Sequence, residues 1–292
     1  MLGAIINMVE IRNLTDNPNL LKIAECGCFE VYEHQKDLSV KASSAVTAYF
    51  MHEMNLRKRQ VLCTLNGNSI KVQGGAMQWS SGKVTMNSNI NSVKGFLGKA
   101  ISGVVTGESM AKPIYQGEGN LMFEPTYNYI LFEKAEDWGS GIVLDDGLFL
   151  ACDANIKETI VARNNVSSAL LGGEGLFNLS LSGEGVVVLE SPVPREELIE
   201  FIIDNDEVKI DGNMAIAWSN SLNFTVEKSE SSIVGSLVNG EGLLNVYRGS
   251  GKILLAPTLN GAEMDTKHGP EETTASSSKG IVGSVVKSVF NA

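Results

Sequence analysis

The chain has 292 residues and a net charge of −11, with a pI near 4.9. Such a balance lacks the basic surface needed to neutralise phosphates, so no nucleic acid is expected as a main partner. Thirty glycines against seven prolines, with 43% apolar residues, fit a turn-rich β protein better than a helical bundle.

Residues 1–60 read as N-terminal strands and a helix packed on a core. The segment MLGAIINMVEIRN has neither a cationic start nor a cleavage-like site, and no run of 18 apolar residues occurs anywhere. Neither a signal peptide nor a spanning helix is expected, and the expected location is cytoplasmic, with a membrane-peripheral position as the alternative. Short strands are predicted around Glu10–Arg12 and over Phe29–Tyr32, with a turn at Asp16–Asn19. Residues 43–59 read as one helix, since Val46, Tyr49, Phe50 and Met54 recur at helical spacing. Arg57-Lys58-Arg59 would close it. A cationic last turn suits the helix dipole, and an anion or lipid-headgroup contact is the other reading.

A β core is predicted over 61–258, in units of about 61–137, 138–204 and 205–258. Its centrepiece is Gly173–Pro192, where Phe177, Leu179 and Leu181 alternate with Asn178, Ser180 and Ser182 as on a half-buried strand. Gly183-Glu184-Gly185 would turn the chain back into Val186–Leu189 as a hairpin. An echo begins at Gly240, with Gly249-Ser250-Gly251 in place of the inner turn, and a weaker copy begins at Gly117-Glu118-Gly119. Upstream of these lie Ile70–Ser80, Ile142–Asp153 and Val208–Ser219, each read as a further hairpin. Unit one also carries an apolar insertion, Val93–Val105. Phe96, Leu97, Ile101 and Val104 there would share one helical face, covering a barrel end or lying on a membrane or partner. Ser191–Glu207 carries a helix-like start, yet Ile199, Phe201 and Ile203 alternate, which favours a strand.

After Pro257 the polar stretch 259–278 reads as a disordered linker. The tail 279–292 is apolar, with Ile281, Val285 and Phe290 as candidate contacts for protein or lipid.

No catalytic constellation stands out. His34, His52 and His268 do not cluster in sequence, and Cys26-Gly27-Cys28 is too tight for a zinc pair, so no metal or other cofactor is expected. Cys26, Cys28, Cys63 and Cys152 read as reduced thiols packed like small hydrophobes. Asp145-Asp146 and Asp211 read as turn residues and not as an acid–base pair. Trp79, Cys152 and Trp218 stand at matching places in the three units. They read as core or as the lining of a pocket.

Together, Ala76–Ser80, Gly95–Gly103, Glu124–Tyr127, Leu144–Asp153, the Gly173–Pro192 stretch and Asp211–Trp218 resemble the altered-inheritance-of-mitochondria family. The resemblance spans about residues 10–257. It implies a fold related to the trp RNA-binding attenuation protein: all-β, barrel-like or double-stranded β-helix-like, with three pseudo-repeated units. No catalytic residue is established across that family, so none is carried over. RNA recognition by β edges needs basic and stacking residues, and the Gly-Glu-Gly and Gly-Ser-Gly tips supply neither. The expected function is a non-enzymatic β scaffold or binding protein that self-associates. The alternatives are a peripheral membrane protein, and a small-molecule binder or enzyme with a cavity near the tryptophans.

Overall fold

The computed structural model describes residues 9–87, 112–162, 177–228 and 243–258. A short hairpin leads, β1 (Leu20–Cys26) and β2 (Phe29–His34), followed by α1 (Ala45–Glu53). Unit one holds β3 (Arg59–Val72), β4 (Met77–Asn87) and β5 (Ile114–Phe123). Also within 61–137 lies β6 (Tyr129–Lys134), and the stretch predicted as unit two holds β7 (Ile142–Leu144), β8 (Phe149–Asp153), β9 (Lys157–Ala162), β10 (Phe177–Ser182) and β11 (Val186–Ser191). Next come β12 (Ile199–Asp211), β13 (Ala215–Ser219), β14 (Asn223–Lys228) and β15 (Leu243–Leu255). Among the described residues the protein is all-β with one short α-helix. One sheet is nearly closed and barrel-like, and the other is a half-barrel.

The Gly-x-Gly stretches are not hairpin turns. Gly117 and Gly119 lie inside β5, and Gly249 and Gly251 lie inside β15. β5 runs between β3 and β4, and β15 runs between β12 on one edge and β13 and β14 on the other. Gly183–Gly185 is a corner. It carries the chain from β10, which pairs with β7 and β9 in the half-barrel, into β11, which pairs with β6 and β8 in the nearly closed sheet. Thus each of these three Gly-x-Gly stretches belongs to a strand or strand pair flanked on both sides, with the middle one broken in two.

The glycines are needed for a reason other than turning. A Cβ on Gly119 would stand 2.0 Å from the Ser81 carbonyl oxygen, and one on Gly117 would stand 2.0 Å from that of Lys83. Such close backbone approach is a known role of glycine within strands. The upstream pieces are not hairpins either. β3 and β4 both pair with β5, β12 and β13 both pair with β15, and β7 and β8 lie in different sheets. Unit two therefore stitches the two sheets together.

At the N-terminus, Phe29–His34 is a strand as alternation predicts, but residues 10–12 form none and β1 starts at Leu20. α1 ends at Glu53, short of the predicted 59. Arg59 begins β3 instead, and Arg57 and Lys58 precede it outside the helix. No residue of α1 is buried, so its apolar stripe is not spent on the core. The expected strand after Pro194 forms as β12, preceded by one turn of 3-10 helix at Arg195–Glu197.

Alternation then builds several cores. In β3, Val61, Cys63 and Leu65 point into one cluster with Phe29, Leu121 and Phe123. Leu62 points the other way, to Leu20, Tyr32 and Met122. The largest cluster joins the two sheets through Trp138, Leu144, Leu181, Leu189 and Leu254.

Candidate functional site

The candidate contact residues Phe96, Leu97, Ile101, Val104, Ile281, Val285 and Phe290 lie outside the described residues. The three residues proposed as a shared pocket are placed in three different clusters. Trp79, half-buried on β4, packs against Leu20, Tyr32, Leu62 and Met122. Cys152 is fully buried in the cluster between the sheets, and burial pushes its thiol up to about 12. Trp218 is buried in the half-barrel, with Tyr247 and Phe224 rings centred 5.5 and 5.6 Å away. Each is a core residue of its own region.

Two surface features remain as functional candidates. The first is the set of sheet edges. Among the described residues, β1, β4, β6, β9, β12 and β14 each have a single strand neighbour. Every described strand residue that is large, apolar and exposed lies on four of these six, β1, β4, β9 and β12: Leu21 and Ile23, Met77 and Met86, Ile160 and Val161, Ile199 and Ile202. Ile202 is 74% exposed. α1 adds Val46, Tyr49 and Phe50, and Met54 follows at its C-cap.

The second is a polar cleft of about 410 Å³ whose lining includes Glu25, Cys28, Glu30, Thr64 and Asn68. Cys28 occupies the turn between β1 and β2, beside Gly27 at φ +60°. Its carbonyl accepts the Thr64 N–H at 2.9 Å, which extends the β2–β3 ladder by one bond. The register of that ladder brings Cys63 opposite Phe29, so the two sulfurs come within 3.3 Å, with the Cys63 thiol donating to Cys28. The Asn68 side chain also bonds Cys28; its own oxygen accepts the Asn66 N–H at 2.8 Å, which leaves its amide nitrogen as the donor to sulfur. Donation by Cys63 lowers the Cys28 thiol below its usual range against the effect of burial, and the same bond raises Cys63. Burial raises Cys26. Spacing of 35 residues gave no hint of this pair.

Among the described residues, no group of three or more His, Cys, Asp or Glu side chains is arranged to hold a metal ion. Nor does any described helix have the length and apolarity to cross a membrane.

The family model described as Mitochondrial biogenesis AIM24 matches residues 53–258. The chain belongs to this family. β1, β2 and most of α1 lie ahead of the matched region. An uncharacterized protein of Streptococcus pyogenes serotype M6 is 30% identical over 199 residues, covering 65% of this chain and 77% of its own. The crystal structure of a Streptococcus pyogenes protein, a structural-genomics target, superposes with a TM-score of 0.52 at 26% identity. It covers 72% of this chain and 91% of its own.

Proposed function

We propose that this AIM24-family chain is a non-enzymatic β scaffold that self-associates through its sheet edges. The observation that carries the reading is the confinement of exposed, large apolar strand residues, among the described residues, to four of the six singly paired strands, β1, β4, β9 and β12. An edge strand offers unpaired N–H and C=O groups, and soluble proteins blunt such edges with charge or cover them. Here Ile202 and Ile160 project from edges at 74% and 52% exposure. Covering them with a second copy removes both liabilities at once. Native mass spectrometry tests this. Masses at integer multiples of 31.3 kDa support it, and a single chain at every concentration contradicts it.

A second reading rests on α1, which exposes Val46, Tyr49 and Phe50 while burying none of its residues. On this reading the helix lies on a lipid surface. Flotation with anionic liposomes separates the two: binding that is lost in Phe50→Ser favours lipid, and absence of binding favours protein contacts.

A further inference from the structure

We propose that Cys28 and Cys63 form a reversible thiol–disulfide site, with Cys28 as the sulfur that attacks an oxidant in the cleft and Cys63 as the resolving sulfur. The oxidant it takes is a small neutral hydroperoxide. Geometry supplies the argument. Cys28 lines the cleft and is half-buried, whereas Cys63 is fully buried on β3 behind it. The sulfurs lie 3.3 Å apart, so bonding needs them to close by little more than about 1 Å. That fits within side-chain rotation, while the β2–β3 ladder holds the backbone on both sides.

Polarity assigns the roles. Cys63 donates to Cys28, and Asn68 donates to it as well, so negative charge gathers on the sulfur that the cleft reaches. Asp153 opposes that charge, but its carboxylate is occupied by the Val186 N–H at 2.8 Å. Glu25 and Glu30 stand at the cleft and share one cation, Lys22, at 2.6 and 3.3 Å, so the group keeps a net negative charge, which selects an uncharged oxidant over an anionic one such as oxidised glutathione.

The chemistry balances in two steps. The Cys28 thiolate attacks one peroxide oxygen and the O–O bond breaks. The leaving hydroxide takes up a proton, and Cys28 becomes a sulfenic acid, oxidised by two electrons. The Cys63 sulfur then attacks the Cys28 sulfur, the S–O bond breaks, and the Cys63 proton leaves with that oxygen as water. An external dithiol returns both sulfurs to thiols.

Mass spectrometry of the full chain after limiting hydrogen peroxide tests this. Trypsin places Cys26 and Cys28 together in Ile23–Lys36 and Cys63 in Gln60–Lys71. The expected result is the loss of two hydrogens, a link between these peptides that survives in Cys26→Ser, and its reversal by dithiothreitol. In Cys63→Ser the reaction should stop at Cys28 with the gain of one oxygen. If that variant fails to fold, the wild-type and Cys26→Ser maps decide alone. A link that vanishes in Cys26→Ser, or no link while Cys28 remains open to alkylation, overturns the proposal. Equal oxidation by oxidised glutathione overturns the selectivity for a neutral oxidant.

Discussion

The Arg59 guanidinium stands 2.8 Å from the Glu33 carboxylate, and both side chains are almost closed to solvent. Arg59 also lies over the Tyr129 ring at 4.0 Å, and its backbone bridges to Thr126 in both directions. One residue therefore ties β2, the start of β3 and the approach to β6 together. The sequence reading put this cation in a surface triplet; the structure makes it a buried fastener. Arg57 also pairs with Glu33 at 3.1 Å, so the carboxylate keeps one cation when Arg59 is removed, and the cost stays at the low end for breaking a buried pair. Arg59→Ala should cost about 3 kcal/mol in urea unfolding. Arg59→Lys should cost less, since it keeps charge but loses the planar fork and the ring stacking. Because the pair is buried, added salt should change this difference little.

Trp218 and Trp79 were read as equivalents, and their surroundings separate them. Trp218→Ala empties an aromatic cluster with Phe224 and Tyr247 and should cost about 3–5 kcal/mol. Trp79 is half-buried on an edge strand, and Trp79→Ala should cost about 1–2 kcal/mol. Chemical denaturation of both variants checks the ranking.

Gly117 and Gly183 each adopt positive φ, +126° and +120°. At Gly117 a Cβ would meet a backbone carbonyl at 2.0 Å, while at Gly183 its nearest neighbour is 3.8 Å away. Gly183→Ala should show only the strain of the dihedral, about 1–3 kcal/mol. Gly117→Ala must also push β4 off β5, and it should lose more stability than Gly183→Ala in the same melt.

Carboxylates in this fold titrate in both senses. Burial raises the Glu190 carboxyl above its usual range, a shift that Asn128 opposes at 3.4 Å. A raised folded pKa means that stability is greatest below the unfolded value near about 4.3 and falls as pH rises. Glu190→Gln should therefore raise the melting temperature at pH 7, with the gain vanishing near about pH 4. Asp37 behaves oppositely. Lys58 and Ser39 hold it down to about 2, so its contribution is present above the unfolded value and is lost as pH falls towards 2. In Lys58→Met that acid loss should shrink.

Much of the fold was legible, because alternation along Phe29–Tyr32, Leu179–Leu181 and Ile199–Ile203 reports half-buried strands directly. Pairing was not. Gly-x-Gly between apolar runs looks like a hairpin turn, yet in β5 and β15 the same glycines lie mid-strand, and in β5 a neighbouring carbonyl leaves no room for a Cβ. That constraint comes from a strand distant in sequence, so no local pattern carries it. The thiol pair was hidden for the same reason: Cys28 and Cys63 meet only through the β2–β3 register. The edges became visible only once each strand's neighbours were known.

Self-association through those edges is tested most directly by light scattering of the full chain over a range of concentrations, beside an Ile160→Lys, Ile202→Lys variant. Both positions are exposed, so the variant should keep its fold and melting temperature. The account predicts a multiple of 31.3 kDa for the wild type and the single-chain mass for the variant. A monomeric wild type, or a variant that assembles as the wild type does, would contradict it.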